Sequence, residues 1–215
     1  YVALAAGSGA KLYEVACDRA APLVAAGDQV ATFVDGQLVV HAAEDGKERY
    51  RVQAELEPPL LLTSARLFVR SGDELAVIKA DTGRIERRIA PGDASAFDIR
   101  HGHPTGLAVG QGWVATLGDD QVSVFDPDTG TRRFVASVPS ASLLGGGGQH
   151  LAVGAGDRAI LIDATTGKKR LDLDVGGTVT ALTLEHGLLA VRTTEELLIV
   201  DAAAAKQTHR VRLKP

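Results

Sequence analysis

Five segments of this chain repeat one another, and that repetition limits what the chain can fold into more than any other feature. VVHAAEDGKERYRV, VIKADTGRIERRI, VFDPDTGTRRFV, LIDATTGKKRLDL and IVDAAAAKQTHRV align on a turn glycine at Gly46, Gly83, Gly130 and Gly167, with Ala205 in the fifth copy. The successive spacings are 37, 47, 37 and 38 residues. A self-copy at that distance marks a solenoid or a propeller, and about 37 residues suits four short strands with four turns.

Each copy reads as strand a, strand b, a turn rich in Gly and Asp, strand c, a second Gly turn and strand d. In the third copy these are Thr105 to Gly110, Trp113 to Leu117, the turn Gly118 to Gln121, Val122 to Phe125, and Arg132 to Val135. Strand c is apolar at consecutive positions, as in Leu75 to Ile78, Ile160 to Ile162 and Leu197 to Val200. A strand covered on both faces by neighbouring sheets needs that pattern. Strand d is the opposite: 15 of the 23 Lys and Arg, among them Arg49, Arg87, Arg132, Lys169 and Arg210, fall in it or in the turn before it. Positive side chains on an outermost strand discourage edge-to-edge aggregation.

The expected fold is therefore all-β, a β-propeller of four-stranded antiparallel blades, in one domain spanning 1–215. Five blades are complete at about 22–54, 59–91, 104–138, 141–175 and 178–213. Residues 1–20 supply a partial one, with Tyr1 to Ala6 read as strand b and Lys11 to Ala16 as strand c. Either those strands complete a sixth blade or further blades lie outside this sequence; an incomplete view of a six- to eight-bladed ring is favoured.

Composition narrows the function. Hydrophobic residues make up 45% and charged residues 23%, the balance of a globular chain. No apolar run reaches the roughly 18 to 20 residues of a spanning helix, so no direct membrane insertion by this segment is expected. A net charge of -4 argues against nucleic acid as a partner. Methionine is absent, so Tyr1 is expected to follow a removed or trimmed segment. The single Cys17 excludes an internal disulfide and, with only Arg19 near it, is expected to be a buried, inert thiol. The Ala-rich, Lys-poor balance points to a bacterial source.

These copies resemble the quinoprotein-like, or PQQ-like, β-propeller repeat, in which an apolar strand runs into Asp-Ala-x-Thr-Gly-Lys and an aromatic. Asp163 to Lys168 matches closely, and Asp126 to Gly130 and Ala80 to Gly83 match in part, over about residues 22–213. The family's docking tryptophan, four residues past the turn glycine, is replaced by Tyr50, Arg87, Phe134, Leu171 and His209. The resemblance implies the fold. It does not carry across the cofactor, the calcium site or the dehydrogenase activity of the family's quinone enzymes, because no matching constellation is present; no cofactor, metal or catalytic residue is assigned.

Candidate partner-binding residues lie in two places. The b–c turns carry Asp35, then Asp73 with Glu74, Asp119 with Asp120, Asp157, and Glu195 with Glu196. In a closed ring these lie on one face able to hold a basic peptide, a cation or a basic groove, although Asp is also a residue that hairpin turns prefer. The third spacing is the longest, and its excess, Gly92 to Pro104, holds His101 and His103; two imidazoles at i, i+2 on an extended segment can supply two metal ligands or a protein contact. Leu144 to Gly148 reads as a tight a–b turn rather than a phosphate loop, since a strand and not a helix follows it.

The expected function is a non-catalytic scaffold that binds a protein partner within a larger assembly, with the periplasm or cell envelope favoured over the cytoplasm. The alternatives are an extracytoplasmic sensor or ligand-binding domain of a bacterial receptor, and a degenerate quinoprotein-type enzyme. Leu161→Asp places an uncompensated charge in a doubly covered strand and is expected to cost about 4 kcal/mol or more in denaturant unfolding. Unchanged stability would remove Ile160 to Ile162 from a strand c.

Overall fold

The computed structural model describes residues 1–19, 21–91, 106–118 and 120–213. They fall into two compact units, Tyr1–Ala90 and Pro91–Pro215. All regular structure among them is antiparallel sheet. In the first unit, β1 (Val2–Leu4) and β2 (Lys11–Glu14) form a two-stranded sheet. Blade A follows as β3 (Val24–Ala26), β4 (Gln29–Val34), β5 (Gln37–Ala42) and β6 (Glu48–Val52), and blade B as β7 (Glu57–Leu62), β8 (Arg66–Ser71), β9 (Glu74–Lys79) and β10 (Ile85–Ile89).

The second unit holds three four-stranded meanders. Blade C is β11 (Leu107–Gly110), β12 (Trp113–Gly118), β13 (Gln121–Phe125) and β14 (Arg132–Ser137). Blade D is β15 (Ala141–Gly147), β16 (His150–Ala155), β17 (Arg158–Asp163) and β18 (Lys169–Asp174). Blade E is β19 (Val179–Glu185), β20 (Leu188–Thr193), β21 (Glu196–Asp201) and β22 (Lys206–Arg212). The d strand lies at a sheet edge in all five blades, where its cations meet solvent.

Burial explains the apolar runs of strand c. Along β17, Ile160 and Ile162 pack on the core shared with Val122, Val124, Leu151 and Val153, while Ala159 and Leu161 pack on Leu189, Val191, Leu198 and Val200. Successive side chains of a strand point to opposite faces, so both faces of β17 are covered by neighbouring blades. Leu161 is wholly buried. In the first unit Leu38 and Val40 of β5 join Leu67, Val69 and Ile78 of blade B in the same way.

The c–d turn is one geometry used repeatedly. The amides of Gly46, Gly83, Gly130 and Gly167 donate to the carbonyls of Ala42, Lys79, Asp126 and Asp163 at 2.8–3.0 Å, with φ between 70° and 75°. A bulge recurs just after the turn in every blade, with its extra residue near the start of strand d: Arg49, Glu86, Arg133, Arg170 and Thr208. Left-handed backbone favours glycine, and a second demand falls on the same atom. The Tyr50 ring lies on Gly83 and the Phe134 ring on Gly167, so that a Cβ would overlap the ring at Gly83 and crowd it at Gly167. The Tyr50 hydroxyl donates to the Ala80 carbonyl at 2.5 Å, and burial, with Asp81 adding to it, pushes its pKa up to about 12.

That geometry corrects the reading of the N-terminal strands. Gly9 donates to Ala5 at 2.7 Å with φ 67°, and Tyr13, four residues later, lies on Gly46 and donates to the Ala43 carbonyl at 2.8 Å. Gly9 is thus a further member of the turn series, 37 residues before Gly46, and β1 and β2 are strands c and d of their sheet rather than b and c. Two other expectations change. Gly145 to Gly147 lie inside β15 and only Gly148 reaches the a–b turn. A Cβ on Gly146 would meet Val109 and Trp113, and one on Gly147 the Leu184 carbonyl, so close approach of neighbouring blades requires them. Cys17 is exposed because it sits in the connection beyond β2 and not in a sheet.

Ala205 holds φ 50° where the other blades place glycine. A left-handed non-glycine residue costs about 1–2 kcal/mol, offset in part by the entropy glycine adds to the unfolded chain. Ala205→Gly is expected to raise stability by about 0.5–1 kcal/mol in urea unfolding; a loss would contradict the left-handed turn. Asp126 accepts from the Arg133 guanidinium and from the Thr129 and Asp128 amides at 2.9–3.0 Å, which holds its pKa down to about 2. A depressed carboxylate pKa stabilises the fold above the unfolded value near 4 and loses that contribution as pH falls through about 2. Asp126→Asn should therefore cost about 1–2 kcal/mol at neutral pH and make little difference below about pH 2. An equal cost at both pH values would detach the effect from this carboxylate's charge.

Candidate functional site

The b–c turns are held by the chain that leaves strand d or enters the next blade. Val138 donates to the Asp120 carbonyl at 2.7 Å, Val175 to Asp157 at 2.9 Å and Leu213 to Glu195 at 2.6 Å. In the first unit Asp18 donates to Phe33 at 3.0 Å, and its carboxylate accepts from the Asp35 and Gly36 amides at 2.7 and 2.8 Å. Four of the five turns are therefore fixed in place at the backbone; in blade B the residue at the corresponding place is Pro91, which has no N–H to donate, and the Gly72 carbonyl accepts from the Arg70 side chain at 2.8 Å instead.

Backbone conformation sorts the acidic residues into two kinds. Asp35 and Asp120 have φ of 52° and 59°, a conformation that Asp tolerates better than most side chains. Asp120 also accepts from the Ser140 amide at 2.7 Å. At Gly72-Asp73 and Gly156-Asp157 the glycine takes the positive φ, 61° and 58°, and leaves the aspartate in ordinary backbone. Before Glu195 the turn is made by Thr193, whose hydroxyl accepts from the Glu195 and Glu196 amides at 3.2 and 3.0 Å. A positive φ accounts for Asp35 and Asp120; it makes no demand on Asp73, Asp157 or Glu195.

Ion pairing separates two more. Glu74 faces Arg88 at 4.0 Å and Glu196 faces Arg210 at 3.5 Å. The same cross-strand position holds Gln37 with Arg51 at 3.2 Å and, with the charges exchanged, Arg158 with Asp172 at 2.7 Å. Glu74 and Glu196 belong to that c–d pairing. Asp73, Asp157 and Glu195 are exposed and, among the described residues, have no ion-pair partner and no side-chain hydrogen bond. Asp119, His101 and His103 lie outside the described residues.

The structure adds features that the repeat did not announce. A cleft of about 520 Å³ in the first unit is floored by Phe33, Leu56 and Pro58, with Arg19, Glu55 and Glu57 at its mouth. It depends on how Asp18, Arg19, Ala21 and Pro22 and the connection 55–58 lie against the b–c turn of blade A, which no spacing in the sequence encodes. Tyr1 stands edge-on to Tyr13 and His41 at 6.2 and 6.0 Å, and burial, with Tyr13 and Cys17 beside it, pushes its phenol up to about 12. Among the described residues no three His, Cys, Asp or Glu side chains gather as metal donors, and no helix is long and apolar enough to cross a membrane. What this arrangement offers is fixed turns with free carboxylates, a basis for binding by charge.

The comparisons with known proteins bear on the family. The crystal structure of BamB from Moraxella catarrhalis is similar over 99% of this chain and 70% of that one, with a TM-score of 0.64 and 16% identity. At that identity the likeness is one of fold, and it supports the β-propeller. No curated protein matches the chain. The sequence model of the family described as outer membrane protein assembly factor BamB matches residues 1–140 and 118–214. The two matches together take in nearly the whole chain, and the chain belongs to that family of PQQ-like repeat propellers.

Proposed function

We propose that the chain is a non-catalytic protein-interaction scaffold in outer-membrane protein assembly, acting in the periplasm or at the envelope. Its family supports the setting. One observation supports the mode of binding: Asp157 and Glu195 in the second unit, at turns anchored through their backbone, and Asp73 in the first are exposed charges that neither a positive φ nor ion pairing demands. Unneutralised charge on a rigid support speeds encounter with an oppositely charged surface and fixes register with it. The partner is accordingly a protein with a basic surface. In the second unit Asp120 adds an exposed carboxylate that also serves its turn.

Neutralisation without loss of turn geometry tests this reading. The triple variant Asp73→Asn, Asp157→Asn, Glu195→Gln keeps each side chain's shape and removes three charges. Affinity purification from envelope extracts of the source organism should recover the wild-type partner with the natural chain and about ten-fold less of it with the variant, at unchanged thermal stability. Equal recovery would return these carboxylates to solubility alone.

A further inference from the structure

Blade C departs from the other blades at its outer strand, in two adjacent residues. The position occupied by Arg51, Arg88, Asp172 and Arg210 in the other d strands is Val135 in β14, and it is 42% exposed. From Phe134 to Ser137 the strand carries no charge, whereas β6, β10, β18 and β22 each carry one or more over the same stretch. The next position is Val52, Ile89, Leu173 and Val211 elsewhere and Ala136 here. Beside that small side chain a cleft of about 500 Å³ opens between β14 and blade D, walled by Val138, Ile160 and Ile162. Its mouth holds Arg158, Lys169 and Asp172, and Arg132 stands exposed at the start of the strand.

Charges on an edge strand act against pairing with another chain. Blade C lacks them where the unpaired edge lies beside an apolar cleft. Among the described residues no strand pairs with the outer edge of β14. We propose that this edge is a strand-addition site for an extended segment of a partner polypeptide, apolar at alternate positions and acidic at one end. Its backbone pairs with β14, every second side chain enters the cleft beside Ala136, and the others lie along Val135. Its acidic end meets Arg132 and the excess positive charge of Arg158 and Lys169, which share the single carboxylate of Asp172. The inference rests on the scaffold reading for its class of partner but uses a surface apart from the acidic turns.

The probe is a fluorescein-labelled peptide of about eight residues, alternating valine and threonine with glutamates at one end. Anisotropy with the purified chain should show binding about ten-fold tighter than for the same peptide with a central proline or with lysines replacing the glutamates. Amide exchange should slow in β14 and not in β6, β10, β18 or β22. Val135→Lys should weaken binding by about ten-fold, and Ala136→Ile should do so while raising the melting temperature by filling the cleft. Absence of binding, protection of another d strand, or equal binding by both variants would overturn the proposal. Concentration-dependent dimerisation abolished by Val135→Lys would also overturn it, by giving the edge to a second copy. The variant neutralised at Asp73, Asp157 and Glu195 should bind the peptide as the natural chain does, so failure at the acidic turns and failure at this edge are read separately.

Discussion

Packing in both units turns on one contact, a side chain of an outer strand lying on the turn glycine of the sheet that follows. Tyr13 lies on Gly46, Tyr50 on Gly83 and Phe134 on Gly167. The contact works because glycine answers two demands with one missing atom: the backbone there is left-handed, and the ring occupies the space a Cβ would need. The two tyrosines then donate to the carbonyls of Ala43 and Ala80, which ties the outer strand to its neighbour at a polar as well as an apolar point. Where a phenylalanine replaces the tyrosine the apolar half alone remains. Trp113 makes a corresponding contact at the a–b turn, with its indole N–H on the Gly148 carbonyl at 2.8 Å. Within each unit a repeat is thereby positioned by its neighbour as well as by itself, as expected of sheets too small to bury both faces alone.

The parts of this architecture legible in the sequence were those encoded by a run of like residues. Strand c shows as consecutive apolar positions because both its faces are covered, and strand d shows as clustered cations because it stands at an edge. Close approach between blades leaves a weaker trace. Gly145 to Gly147 has the composition of a turn and lies in a strand, since the demand on those residues comes from Val109, Trp113 and Leu184, which are distant in sequence. The N-terminal pair was legible in principle: Gly9 stands at the repeat distance from Gly46 and Tyr13 four residues beyond it. The turn around it, Ala5 to Ala10, lacks the Asp and Thr of its relatives, so composition hid what spacing preserved.

For the candidate site the sequence located the acidic turns but not their roles. An Asp beside a Gly is ambiguous on paper, because either residue can take the positive φ of a tight turn. Only the backbone shows that Asp120 takes it, and that Gly72 and Gly156 spare Asp73 and Asp157 from doing so. Likewise Glu195 and Glu196 are adjacent and chemically alike, yet Glu196 pairs with Arg210 across the sheet and Glu195 has no ion pair among the described residues. Residues that folding does not require are the ones whose charge is left for recognition.

Repetition also gives departures from the pattern a meaning that a single domain would not. In four of the five blades the outer c–d pair is polar or charged on both strands, and in blade D the signs are exchanged while the pairing persists. The exchange shows that the position is occupied by a pair as such and not by a preference for arginine. Gln121 and Val135 stand at the same two places in blade C, without a charge. Loss of one surface ion pair changes stability little, about 0–1 kcal/mol, so stability gives small reason to keep or discard it. The larger consequence of removing charge from an open edge is for pairing with other chains. An edge left uncharged beside an open apolar cleft is exposed to that pairing, and Val135 and Ala136 produce both conditions in the same strand.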